Sequence, residues 1–233
     1  MCIRVDTVES IPIDLIHRID RIRPDLEGNN YIDELARRDD VVQLLGELNE
    51  YLSKGVIGIH YTRSFRDCIQ KNGLQLKSGQ ERRERFLDEY SYLFTPEEVE
   101  EIRSEYSKYF TDRMNWARDN KIWFCLSEEA MNNGGAARLL EYYGGEAVYM
   151  PLTNLDSISN KIRRIGEPLI VKCRLNPKSI NGCWEYPVAL VWLSAYHASI
   201  NPKAKLYDVD VWSTLPIRPE DILAIEIAKY WRR

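Results

Sequence analysis

The strand-like segments of this chain are short and widely separated, and stretches rich in helix formers stand between them. Such a pattern reads as an α+β domain whose sheet, mainly antiparallel, is assembled from distant pieces. Val56-Ile57-Gly58-Ile59 is a short apolar run that leads into His60-Tyr61-Thr62-Arg63. Further strands are expected at Ile122–Ser127, Ala147–Leu152, Leu169–Leu175, Asp208–Trp212 and Ile222–Ile227. Residues 1–54 carry 7 basic and 12 acidic side chains, and Leu35, Val42, Leu45, Leu48 and Leu52 recur at helical spacing. That spacing predicts an amphipathic helix with one buried face, ended by Gly55. The first 54 residues thus form a helical extension on a domain covering 55–233.

Ser64 to Leu74 reads as a short helix capped by Ser64 and closed by Asn72-Gly73. From Lys77 to Lys121 the chain is charged in both signs, and Thr95-Pro96-Glu97-Glu98 supplies a cap, a first-turn proline and first-turn acids. Arg82, Arg83 and Arg85 lie beside Glu81 and Glu84 with no apolar stripe at the start of this stretch. The segment 77–121 is therefore expected to be a helical insertion and a mobile cover rather than part of the sheet. Asn132-Asn133-Gly134-Gly135 is a turn before a helix that ends at Tyr142-Tyr143-Gly144-Gly145, and Pro187–Ser199 is expected to be helical.

Composition narrows the function classes. The 233 residues, 44% hydrophobic, suffice for a full core. With 32 basic against 36 acidic residues, extended binding to a phosphate backbone is not what the charge suggests. Cys2, Cys68, Cys125, Cys173 and Cys183 are odd in number and lack CxxC spacing, against a disulfide framework and against a zinc knuckle. No metal site is expected. The start of the sequence lacks a basic-then-apolar signal and no apolar run is long enough to span a bilayer, so a cytoplasmic location with no membrane partner is expected, compatible with later delivery into a host or target cell. Walker, HExxH and Gly-x-Ser-x-Gly elements are absent.

Strand alternation puts His60 and Thr62 on one face of the first strand, and Asp208 and Asp210 on one face of a late one. An imidazole and hydroxyl opposite two carboxylates are the parts of a nucleotide-cleaving site. The order His60-Tyr61-Thr62, Ile69, Gly73-Leu74 resembles the first strand and helix of ADP-ribosyltransferase-like domains of the His-Tyr-Glu type. Two more pieces follow in that family's order. They are Trp123-Phe124-Cys125-Leu126-Ser127 with the downstream pair Tyr142-Tyr143, and Asp208-Val209-Asp210-Val211 with Pro216-Ile217-Arg218-Pro219-Glu220-Asp221-Ile222. The resemblance spans residues 56–228 and implies a split antiparallel sheet carrying N-terminal and inserted helices.

It also implies NAD as the cofactor and a protein or nucleic-acid target. By position, His60, Tyr61 and Thr62 would hold NAD together with Trp123 and Ser127, Tyr142 or Tyr143 would stack on nicotinamide, and Asp208 or Asp210 would be catalytic. Two departures stand out. Tyr61 occupies a place where the family commonly has Gly, and Asp is one methylene shorter than the family's Glu. A toxin-like role in bacterial or phage conflict follows by analogy. The rival readings are an inactive relative acting as a binding or inhibitor protein, and an NAD-dependent RNA 2′-phosphotransferase, for which Arg163 and Arg164 would be the arginines.

Overall fold

The computed structural model describes residues 2–132, 134–207 and 209–229. It is α+β, helix predominating, with two small antiparallel three-stranded sheets. The chain begins with α1 (Ile13–Ile19), α2 (Arg23–Gly28), α3 (Ile32–Leu35) and α4 (Asp39–Tyr51), then β1 (Val56–Ser64) and α5 (Arg66–Asn72). The next stretch holds α6 (Gly79–Tyr90), α7 (Pro96–Tyr109) and α8 (Asp112–Arg118), followed by β2 (Ile122–Phe124), α9 (Glu129–Asn132), α10 (Ala137–Glu141), α11 (Glu146–Tyr149) and α12 (Asp156–Ile162). It closes with β3 (Glu167–Leu175), β4 (Ile180–Asn181), α13 (Pro187–Ile200), β5 (Val211–Ser213) and β6 (Ile222–Ile227). One sheet runs β1-β3-β6 and the other β2-β5-β4. The chain interleaves two compact units: residues 1–59, 123–130 and 173–213 form the first, and residues 60–122, 131–172 and 214–233 the second.

In the first unit α13 is apolar all round, as a helix buried on every side must be, and every residue from Pro187 to His197 is buried. It packs on α4, whose inner face is Val41, Leu44, Leu45 and Leu48. The extension is therefore four helices rather than one, and Val42 is only half-buried because Val41 and Leu44 take the inward positions. Gly55 does close this region, at φ 107°. The C-terminal end of α2 shows how the unit deals with buried polar groups. His197, with 0% exposure, donates through Nε2 to Leu26 O at 2.9 Å and Asn29 O at 2.8 Å. Asn201 Nδ2 donates to the same two carbonyls at 3.2 and 2.7 Å. Carbonyls left over at a helix end are thus satisfied by side chains from α13 and its C-cap.

The second unit is built on an aromatic core to which the stretch 77–121 contributes Phe86, Leu87, Phe94, Ile102 and Tyr106. This segment supplies five of the twelve buried residues of that core and is not a loose cover. Its apolar residues start after the charged first turns of α6, where the sequence offered no stripe to read. Ser78 and Thr95 each form a full capping box, with Glu81 and Glu98 respectively. The expected strand Ala147–Leu152 is instead α11 followed by a 3-10 turn. Gly145, at φ 72°, turns the chain into that helix, and Ala147, Val148, Tyr149 and Leu152 all enter the core, so the run had no polar face to reveal its period.

The expected strands near 122–127, 169–175 and 222–227 and the helices near 64–74 and 187–199 occur with instructive shifts, whereas α9, α12 and β4 were not expected. β1 runs on through Ser64, so α5 starts after Phe65 and has no side-chain cap, which removes Ser64 from that role. Gly73 closes α5 at φ 71°, and an added Cβ there would run into the Ile217 carbonyl, whose oxygen accepts the Leu74 N–H at 2.9 Å. β2 stops at Phe124 instead of Ser127, and β5 begins at Val211, one residue past Asp210.

Candidate functional site

In the first unit the candidate residues gather on one face of the β2-β5 pair. Trp123 and Trp212 meet with ring centroids 4.8 Å apart and planes inclined at 46°. Two residues along, on the same side of each strand, the Cys125 thiol donates to Asp210 Oδ1 at 3.7 Å. The four side chains form a two-by-two patch, indoles at one end and thiol and carboxylate at the other. The opposite faces carry the buried Ile122, Phe124, Val211 and Ser213, and these anchor the strands while Trp123 stays 39% exposed. Asp210 is exposed. In the third strand Asn181 pairs with Trp212, extending the same face with an exposed amide. Sequence reasoning singled out Trp123 and Asp210 and missed Cys125 and Trp212. Each lies two positions from a residue already chosen, but only the pairing of β2 with β5 brings the two pairs together.

Asp208 lies outside the described residues. Ser127 is 1% exposed and its Oγ accepts the Glu129 N–H at 3.2 Å, so its hydroxyl serves the turn into α9. The patch contains no imidazole of its own. Among the described residues no group of three His, Cys, Asp or Glu side chains is placed to hold a metal ion.

In the second unit His60 and Thr62 are half-buried on β1, whereas Tyr61, turned to the other face by the pleat, is 3% exposed. Arg63 ties this strand to the segment carrying the tyrosines. Its guanidinium donates to Ile165 O at 2.8 Å, Gly166 O at 3.0 Å and Leu140 O at 3.3 Å. A planar fork with five N–H groups suits three carbonyls from two chain segments, and an ammonium could not span them. Arg63 and Tyr143 are also paired as a parallel bridge. No local pattern marked Arg63, because its partners lie far along the chain.

The two adjacent tyrosines part company. Tyr142 is 6% exposed, stacks on Tyr149 at 5.2 Å, and its hydroxyl accepts from Arg163, which also donates to Glu141 at 2.8 Å. Tyr142 is a core residue, and Arg163 is engaged within the fold. Tyr143 turns the other way, toward Phe65 at 6.1 Å and Tyr90 at 5.0 Å, and its hydroxyl accepts from that of Tyr90 at 3.2 Å. Burial pushes the Tyr143 phenol above its ordinary range, and the bond with Tyr90 adds to the effect, so it stays neutral in neutral solution. Phe65 beside it is 43% exposed, which makes Tyr143 rather than Tyr142 the aromatic candidate near the surface.

Elsewhere in this unit a groove of about 650 Å³ lies between Arg66, Met131, Ile170 and the end of β6, and none of the candidate residues lines it. Among the described residues no helix is long and apolar enough to cross a membrane. No protein-family profile, no curated protein and no solved structure matches this chain.

Proposed function

We propose that the chain is an NAD-dependent ADP-ribosyltransferase that modifies a macromolecular target, with Asp210 as its electrostatic residue. The observation that supports this most is the exposed Asp210 carboxylate, held by Cys125 beside the Trp123–Trp212 pair on a sheet face. Breaking the bond between nicotinamide and ribose develops positive charge on the sugar, so a fixed carboxylate there lowers the barrier most if it needs no reorganisation during the reaction. The Cys125 thiol supplies such fixation without neutralising the charge. His60, Thr62 and Tyr143, which belong to the second unit, enter this reading only through the family resemblance. Asp210 is one methylene short of the Glu of the family it resembles, and the same geometry without turnover would make the chain a nucleotide-binding relative. Of the two arginines of the phosphotransferase reading, Arg163 is engaged with Glu141 and Tyr142, which favours the transferase reading over it.

The test is transfer of label from labelled NAD to macromolecules in a whole-cell lysate. Asp210→Asn should cut turnover by about 10²–10³ with an unchanged thermal midpoint, while His60→Ala should chiefly weaken NAD binding. Asp208→Asn, by contrast, should leave most of the activity. If the unmutated protein neither binds nor consumes NAD, the reading is wrong.

A further inference from the structure

In the sheet β1-β3-β6 the strand β6 forms an edge, and among the described residues no strand or isolated bridge pairs with its outer side. Five of the six residues in Ile222-Leu223-Ala224-Ile225-Glu226-Ile227 are apolar, and Leu223 and Ile227 are 41% and 43% exposed. No Pro or Lys within the strand blunts it, so its outward backbone groups are a template for a further strand. We infer that this edge docks a second copy of the chain, β6 of one protomer pairing antiparallel with β6 of its partner about a twofold axis at Ile225.

The backbone fixes the register. The Ala228 N–H donates to Pro168 O at 2.9 Å, so it points inward, toward the β3 side. Alternation along the strand then turns the N–H and C=O of Leu223, Ile225 and Ile227 outward. In an antiparallel pair, residues that exchange hydrogen bonds stand directly opposite each other, so an outward residue must oppose an outward residue. An axis at Ile225 sets Ile225 against its own copy and Leu223 against the partner's Ile227, which brings the exposed apolar side chains together twice. An axis at Glu226 would put two carboxylates face to face, and like charges directly opposite are destabilising. An axis at Ala224 would set Asp221 against the partner's Ile227 and Glu226 against the partner's Ile222, charge against apolar in both cases.

The charges at the strand ends favour the same register, because Asp221 then lies opposite the partner's Lys229. The groove of about 650 Å³ runs along this end of the strand, between Arg66, Met131 and Ile170 and the run from Ile225 to Lys229. Consecutive residues of an extended segment point to alternate faces, so a cavity touching all five meets the backbone edge and not one face alone. Within it Glu226 is paired with Lys172 at 3.2 Å, which leaves Arg66 and Lys229 as the cations of the rim.

The partner brings acids to that rim. Glu220 and Asp221 sit on the 3-10 turn just before β6, and both are bonded to the exposed Arg218 side chain, at 3.0 and 3.1 Å. Ion pairs at the surface are worth little, so sharing these carboxylates with the partner's Arg66 and Lys229 costs little. An acidic entry, an apolar middle and a basic exit make the segment 220–229 complementary to itself when two copies run antiparallel.

The experiment is sedimentation velocity of the full chain over a range of concentrations, with site-resolved hydrogen exchange at the two extremes. The expected result is a reversible equilibrium between monomer and dimer. In the concentrated sample the amides of Leu223, Ile225 and Ile227 should exchange about tenfold or more slowly than in the dilute one, while those of Ala224 and Glu226, turned toward β3, change little. Ile227→Lys replaces an exposed side chain, sets an ammonium against the partner's Leu223 and should leave only monomer. Asp221→Lys and Lys229→Glu should each weaken the dimer about tenfold, since the contact occurs twice, and the double variant Asp221→Lys/Lys229→Glu should recover most of that loss. Melting of dilute samples, followed by circular dichroism, checks that the variants keep the monomer fold. A monomer at every concentration overturns the inference, as does a dimer that Ile227→Lys and both charge reversals leave intact. Equal protection of the three outward amides at both concentrations would mean that the edge is already paired within one chain, and overturns it as well. A double variant no stronger than the single reversals would reject the register centred on Ile225.

Discussion

Replacing His197 and Asn201 singly and together measures how the first unit satisfies the end of α2. Both side chains donate to Leu26 O and Asn29 O, and both are out of reach of bulk water, at 0% and 5% exposure. In His197→Leu each carbonyl keeps its bond from Asn201, so the loss is that of net hydrogen bonds, about 1 kcal/mol. Asn201→Ala leaves the His197 bonds in place and costs a similar amount, about 1–2 kcal/mol with the bond from Lys203 N–H included. In the double variant the buried Leu26 carbonyl has no donor at all and bears its full desolvation cost. The total then rises to about 3–4 kcal/mol, which exceeds the sum of the singles by about 1 kcal/mol or more. For a chain of this size each kcal/mol moves the thermal midpoint by about 2–4 °C. Circular dichroism should therefore show shifts of roughly 2–8 °C for each single and about 6–16 °C for the double. A double shift no larger than the sum of the two singles would refute the shared-acceptor reasoning, and would mean that water takes the vacated place.

Other outcomes follow from local geometry. The Glu98 carboxyl is held at about 2, below its ordinary 4.5, first by the Lys161 ammonium and then by the Ser157 hydroxyl and the Thr95 N–H. A depressed carboxyl contributes stability that is complete above about pH 4.5 and is lost as pH falls toward 2. Glu98→Gln should therefore melt below the unmutated protein at pH 7, with the gap closing on acidification, as thermal scans across this range would show. Gly73→Ala combines φ 71° with a clash on the Ile217 carbonyl and should lose on the order of 3 kcal/mol in urea unfolding. Gly28→Ala, where an added Cβ meets nothing within 4 Å, should be neutral or slightly stabilising in the same assay. Arg63→Lys cannot span the three carbonyls and should raise hydrogen exchange at Tyr142 and Tyr143 well above that of the β3 amides.

Several elements were legible because their cause is local. The Thr95 capping box, the first-turn Pro96, Gly55 as terminator and the all-apolar run of α13 each depend on residues within a few positions of one another. β3 and β6 were expected at 169–175 and 222–227 and occur at Glu167–Leu175 and Ile222–Ile227, since β-branched runs bounded by turns have few other solutions. Ala147–Leu152 is also mostly apolar yet folds as helix and a 3-10 turn, because a segment without a polar face carries no period. Within the candidate site, Trp123 was chosen by the family resemblance and Asp210 by that resemblance together with strand alternation. That Trp212 and Cys125 complete their face depends on β2 lying beside β5, which strand propensity does not encode.

The sequence by itself determined the class of the fold, a few helix ends such as the Thr95 cap and the Gly73 stop, and which residues are chemically fit for a site, because propensity, capping and pleat alternation act over a few residues. Only the tertiary structure decided that the charged stretch 77–121 contributes to the core, that Arg63 clamps a distant segment, that Tyr142 packs on Tyr149 while Tyr143 packs on Tyr90, and that two tryptophans from separate strands stand side by side. Each of these depends on which surfaces meet after collapse. Such meetings are fixed by burying area and satisfying polar groups across long sequence separations, and no window of neighbouring residues contains that information.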